Sequence, residues 1–325
     1  MARNGKVPMF RVMANTALAI FALSYGFNVL AMEKLVEIDV GDATLHGALL
    51  SPDLQPTKAC ALIIAGSGPT DRDGNSQGLP GKNNSLKYLA ETLQSLSIES
   101  LRYDKRQIGK SVVDGMVESD LRFTHYVDDA LALYEWLERR CDGPVFLLGH
   151  SEGGHIALTV AQQRSPDGLV ILAGPGAHPA DLIARQLASQ ISGELLERSE
   201  EVLFELRQGR VVASPPKQLA ALFRTSVQPY LISWFAFDPV AQISDVSAPI
   251  LLVYGTEDLQ VPPSEGEALK SASRHAQLQI IPGMNHVLKI SQGSMAEQME
   301  SYTDPSLPLA PALTKILGRF LLGAQ

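Results

Sequence analysis

One junction constrains this chain more than any other stretch. The pentapeptide Gly149-His150-Ser151-Glu152-Gly153 lies between the apolar run Pro144-Val145-Phe146-Leu147-Leu148 and Gly154-His155-Ile156-Ala157-Leu158, which opens like a helix. A buried strand, a sharp turn with glycines on both sides of a serine, and then a helix present the hydroxyl at the top of a parallel sheet. Small residues are required at both glycine positions because such a turn brings backbone against backbone. Ser151 is therefore the candidate nucleophile.

The surrounding chain alternates in the way a parallel sheet requires. Leu35 to Pro52 reads as a β-hairpin around a Gly-Asp turn. Ala59–Ala65 is a continuous apolar run of the kind found in strands buried on both faces, and Ile98–Tyr103, Val145–Leu148, Leu169–Ala173, Ile250–Tyr254 and Gln277–Ile281 read as further short strands. Helical spacing separates them at Ser85–Leu96 and Phe123–Arg140, and a closing helix is expected at Leu309–Leu322. Between Ala177 and Ala236 the alternation stops and the composition turns helical. This stretch is expected to be a helical cap over the sheet. The fold class is α/β, with a mostly parallel central sheet flanked by helices. With 325 residues, 45% of them hydrophobic, the chain can build one large domain.

The N-terminal residues follow a different pattern. Arg3, Lys6 and Arg11 precede a mostly apolar stretch from Val12 to Leu30 that ends in Val29-Leu30-Ala31. Residues 1–31 are read as a secretory signal, leaving 32–325 as the folded domain and an exported, periplasmic or secreted protein. An uncleaved segment would instead tie the chain to a membrane. A formal charge of −8 argues against nucleic acid as a partner.

A serine hydroxyl needs a base to take its proton and an acid to orient that base. In this architecture the order is serine, acid, histidine. Asp258 follows the strand Leu251-Leu-Val-Tyr, and His286 follows the next strand, Gln277–Ile281. Both strand ends fall on the same sheet edge as Ser151. Glu257, Asp238 and Asp245 compete with Asp258 for the acid. The remaining histidines, including His150 and His155, are assigned packing or surface roles.

A tetrahedral intermediate also needs N–H donors for its oxyanion. The backbone of Glu152 is one candidate. Ser67, in the loop Gly66-Ser67-Gly68-Pro69, is the other, with Gly68 in reserve. Asp71, Arg72 and Asp73 are expected to be ion-paired and to hold that loop. Leu231, Trp234, Phe235 and Phe237 are candidates for an apolar acyl-pocket wall or for ordinary cap core. Gly109-Lys110-Ser111 lacks the earlier glycine of a phosphate loop, and His150 and His155 are not at metal-ligand spacing.

Taken together, these segments resemble the α/β-hydrolase superfamily. They are similar more narrowly to bacterial carboxylesterases and acyl hydrolases that carry a Gly-Ser-Gly-Pro-x-Asp-Arg-Asp-Gly loop, here Gly66–Gly74. Arg102–Ser111, Phe237-Asp-Pro239 and Gly255–Pro262 match further segments of those relatives. Gln107 departs from the pattern, since relatives usually carry glycine there. The resemblance implies hydrolysis of an ester or thioester of a small molecule, no cofactor or metal, and a triad of Ser151, Asp258 and His286. A serine peptidase of the same fold and a non-catalytic binding protein on that scaffold are the rival readings. The resemblance also makes the third and fifth strands parallel neighbours, which puts Cys60 and Cys141 at the edge opposite the site. There they either pair or remain free thiols.

Overall fold

The computed structural model describes Met1 and residues 33–53, 55–291 and 294–323. The expected export segment, residues 1–31, lies outside the described residues apart from Met1.

Strands β1 (Lys34–Asp39) and β2 (Thr44–Leu50) form the hairpin. β3 (Ala59–Ile64), α1 (Ser85–Ser95), β4 (Ile98–Tyr103), α2 (Phe123–Glu138), β5 (Val145–His150), α3 (Glu152–Gln163) and β6 (Gly168–Leu172) then alternate. Helices α4 (Pro179–Ala188), α5 (Glu194–Arg207), α6 (Ala220–Phe223), α7 (Gln228–Phe235) and α8 (Pro239–Ser244) separate β6 from β7 (Ile250–Gly255). After them come α9 (Pro263–Ala272), β8 (Ala276–Ile281), α10 (Met295–Ser301) and α11 (Ala312–Leu321).

The eight strands form one sheet in the order β1-β2-β4-β3-β5-β6-β7-β8. β1–β2 and β2–β4 are antiparallel, and every other pairing is parallel. Every residue of β3, β4, β5, β6 and β7 is buried. For β3, β5, β6 and β7 that follows from largely apolar sequences with each face covered by helices; β4 buries Glu99, Ser100 and Arg102 as well. Within β5 the pleat divides the side chains. Leu147 joins the core beneath α2 and α3, while Phe146 and Leu148 join the core with α1 and α11.

β5 lies in the middle of the sheet, between β3 and β6. Parallel pairing aligns Ile64 with Gly149 and His150 with Leu172. The loops after β3, β5, β7 and β8 consequently emerge at one edge. At the opposite edge Cys60 and Cys141 form a disulfide, with Cα atoms 6.2 Å apart.

Gln107, the departure from the resemblance, stands at φ 66°. A side chain in this left-handed region costs about 1–2 kcal/mol. The turn holds it there with hydrogen bonds. Its backbone N–H donates to Ser111 O over 2.8 Å, and its amide donates to the carbonyls of Val113 and Met116 at 3.2 and 3.3 Å.

Candidate active site

Ser151 sits at φ 54°, ψ −125°, a strained conformation for a residue with a Cβ. Its N–H donates to Leu172 O and its C=O accepts from Gly154 N–H, each over 2.9 Å. The glycines on either side are needed for close approach. A Cβ on Gly149 would lie 2.2 Å from Gly153 O, and one on Gly153 would lie 2.3 Å from Ile64 O. α3 begins directly after the serine, so Glu152 carries the first of the backbone N–H groups that the helix leaves without an internal partner.

The loop after β3 lies against this turn. A Cβ on Gly66 would stand 3.1 Å from the Cβ of Ser151. Gly68 adopts φ 69°, and Thr70 closes the turn by donating its hydroxyl to Ser67 O at 2.8 Å. The acidic segment that follows is ion-paired and hydrogen-bonded. Arg72 meets Asp104 at 2.9 Å and Asp73 meets the buried Arg102 at 3.0 Å. Asp71 accepts from the backbone N–H groups of Asp73 and Asn75.

Asp258 and His286 come together from the ends of β7 and β8. His286 Nδ1 lies 2.8 Å from Asp258 Oδ2, and both side chains are buried. The other carboxylate oxygen, Oδ1, accepts from the N–H groups of Gln260 and Val261, each at 2.8 Å. The aspartate is thus fixed before it meets the ring. The competing acids are engaged elsewhere or exposed: Glu257 accepts from the neighbouring Thr256 hydroxyl at 3.4 Å. Asp238 caps α8 through Val240 N–H and Ala241 N–H, and Asp245 is exposed at the end of that helix. His150 reaches across from the elbow: Nε2 is 2.8 Å from His286 O and the two rings are 4.9 Å apart. Burial pushes the His150 imidazole down to about 4, with a smaller contribution from the charge of His286. His150 is therefore neutral at pH 7 and donates through Nε2.

A cavity of about 580 Å³ opens over Ser151. Ser67, Gly68 and Glu152 lie at its base, and Tyr126, Leu182, Ile183, Tyr230, Leu231 and Trp234 form much of its wall. Trp234 is thus a wall residue. Phe235 is not: it is buried against His178 and Trp234, and its carbonyl accepts from His178 Nε2. Leu231, on the same helix, also lines the wall, whereas Phe237 is buried against Phe123 and His155.

Two groups beside the serine escaped the sequence reading. Lys105, just past β4, is fully buried; its Nζ donates to Gly66 O at 2.6 Å and pairs with Glu152 Oε2 at 3.1 Å. It also stands over the ring of Tyr126, 4.6 Å from the centroid. Tyr230 of α7 donates its hydroxyl to the other oxygen of Glu152. Burial raises the Tyr230 phenol well above its ordinary range, so it remains a donor. The available signal was a lysine at the end of a buried strand, inside the segment Arg102–Ser111.

α7 is bonded to the elbow helix a second time. Trp234 Nε1–H donates to His155 Nδ1 at 3.1 Å, and His155 Nε2 lies 2.8 Å from Pro175 O. Burial pushes His155 down to about 4, so it stays neutral, with its proton on Nε2.

The profile of the family described as "Serine aminopeptidase, S33" matches residues 77–290, which include Ser151, Asp258 and His286. The chain belongs to this family. The S33 chain is 27% identical over 267 residues to esterase EstD of Thermotoga maritima, a match that covers 80% of the chain. It spans 62% of the length of that curated relative. Among solved structures it is similar to Est1E of Butyrivibrio proteoclasticus with bound ferulic acid. The TM-score is 0.60 at 19% identity, over 88% of this chain and 98% of the other. It is also similar to proline iminopeptidase of Mycobacterium smegmatis, with a TM-score of 0.57 at 16% identity, over 90% and 98%. These likenesses establish the S33 protein as an α/β-hydrolase fold.

Proposed function

We propose that the protein is a serine hydrolase that cleaves carboxylic esters or thioesters through an acyl-enzyme on Ser151. The observation that carries this reading is the Asp258–His286 hydrogen bond, 2.8 Å long, at the sheet edge where the strained Ser151 turn faces the cavity. Asp258 holds His286 with Nδ1 protonated, leaving Nε2 free to take the serine proton. The serine oxygen attacks the acyl carbon, and the N–H groups of Ser67 and Glu152 receive the oxyanion. His286 returns the proton to the leaving alcohol or thiol. The same histidine then activates the water that releases the acid. The helices α4 to α7 act as the cap that shapes the substrate cavity. The basic, then apolar, N-terminal sequence and the Cys60–Cys141 disulfide support export to an oxidising compartment.

The resemblance to named esterases supports ester chemistry, while the family description keeps peptide substrates as the second reading. The cavity favours uncharged substrates. Both carboxylates in its lining are already paired, Glu118 with Arg224 and Glu152 with Lys105. A free peptide ammonium entering it would find no unpaired carboxylate among these lining residues.

A panel of p-nitrophenyl esters of graded chain length, assayed beside aminoacyl p-nitroanilides, tests the reading. Turnover of the esters is expected, and Ser151→Ala should lower it by about ten-thousandfold or more with the fold retained. Turnover of anilides alone would favour the peptidase. Absence of labelling by a fluorophosphonate would leave only a binding protein.

A further inference from the structure

Gly66 C=O and Ser67 N–H belong to one peptide group. The trans peptide is planar, so its oxygen and hydrogen point in opposite directions, and whatever fixes the carbonyl also aims the N–H. Lys105 Nζ fixes that carbonyl at 2.6 Å from a wholly buried position. The same ammonium pairs with the side chain of Glu152 at 3.1 Å. One cation therefore spans the two backbone segments whose N–H groups would face an oxyanion.

We propose that Lys105 is a positioning residue for the oxyanion hole. It orients the Ser67 N–H by holding the opposite end of its peptide group, and Glu152 with Tyr230 keeps the ammonium in place. A hydrogen bond from a cation to a carbonyl also polarises the peptide and strengthens the N–H as a donor. Lys105 touches no reacting atom. Its contribution appears only when charge develops on the substrate oxygen.

This inference rests on the hydrolase reading, and the test separates the two. Replacing Lys105 alone would leave Glu152 buried without its cation, so the informative variant is Lys105→Met with Glu152→Gln, which removes both charges and keeps an acceptor for Tyr230. For p-nitrophenyl butyrate, kcat should fall by about a hundredfold, the scale of a lost oxyanion donor, with KM within about threefold of wild type. Affinity for a trifluoromethyl ketone, which adds to the serine as a tetrahedral oxyanion, should fall in parallel with kcat. A folded double variant with wild-type kcat and ketone affinity overturns the proposal while leaving the hydrolase reading intact. A wild-type protein that turns over no ester and forms no ketone adduct overturns that reading instead. A crystal structure of the wild-type adduct decides even if the variant fails to fold. Ser67 N–H must donate to the ketone oxygen while Lys105 holds Gly66 O, and any other donor in its place refutes the assignment.

Discussion

Nε2 of His150 lies 2.8 Å from the carbonyl oxygen of His286, so the residue before the elbow serine holds the backbone of the strand-end histidine. That bond needs only a proton on Nε2, and burial keeps the His150 ring neutral, as it does for His155. Both imidazoles fall from an ordinary value of 6.5 to about 4 in the folded protein. Above pH 6.5 they are neutral whether the chain is folded or not and cost nothing. As pH drops from 6.5 towards 4, only the unfolded chain binds the protons, so stability is lost across that window. Each ring corresponds to about 3 kcal/mol over the full interval. Urea unfolding at pH 7.5 and 4.5 should show the loss, and His155→Gln should make the difference distinctly smaller. An unchanged difference in that variant would contradict the assignment.

Asp258 fixes both the tautomer and the direction of His286. Asp258→Asn keeps the volume but presents an amide to Nδ1, which favours the wrong tautomer. Ester turnover should fall by about ten-thousandfold, the loss seen when such an acid is neutralised. Thermal unfolding should move far less, because Gln260 N–H and Val261 N–H can still donate to the amide oxygen. Activity within tenfold of wild type would transfer the orienting role to another group.

At the mouth of the cavity Glu118 binds Arg224 through Nε at 2.8 Å and Nη2, and also accepts from Ser226. The Arg224 guanidinium and the Ser226 hydroxyl lower the Glu118 carboxyl below its usual range. Arg224→Gln would leave that carboxylate uncompensated at the entrance. The kcat/KM for the p-nitrophenyl ester of β-alanine, relative to its isostere p-nitrophenyl butyrate, should rise by about threefold to fivefold, as befits an exposed pair. The effect should fade in 0.5 M salt, where screening is strong. A salt-independent ratio, or no change in it, would show that the entrance does not sense substrate charge.

The disulfide closes a separation of 81 residues between β3 and the end of α2. Cys60→Ala with Cys141→Ala should reduce unfolding free energy by about 2–4 kcal/mol. Ester turnover at 25 °C should change little, since the bond lies at the far edge of the sheet. Two titratable thiols in the denatured, unreduced protein would show that the bond is not formed.

Much of the fold was legible in the sequence because continuous apolar runs leave little alternative to buried parallel strands. Ser151, Asp258 and His286 could be proposed together because parallel topology sends all three strand ends to one edge. What escaped depends on partners distant in the chain. Lys105 bonds a carbonyl 39 residues before it and a carboxylate 47 residues after it. No local pattern encodes that meeting. Trp234 and Phe235 could not be told apart, since the facing of adjacent helical residues is settled by packing. α9 also passed unseen. Its first turn, Pro263-Ser-Glu-Gly, carries no large apolar residue, and its inward side includes Glu265 and Gly266, both buried. Glu265 accepts from Gly176 N–H and Ala177 N–H, a satisfied buried carboxylate that a hydrophobic pattern cannot report.

Tyr230 and Trp234 stand one turn apart on α7 and reach Glu152 and His155, which stand one turn apart on α3. Ser233 of the same helix accepts from the Phe123 N–H at the start of α2. The helices above the serine are therefore not a separable cassette. Exchanging them for those of a relative to borrow its substrate range would leave one oxygen of the buried Glu152 and Nδ1 of the buried His155 without their partners unless α3 were exchanged as well. Redesign would do better to leave α7 in place and recut the cavity from its other sides, at Met116, Leu121, Leu182 and Ile183.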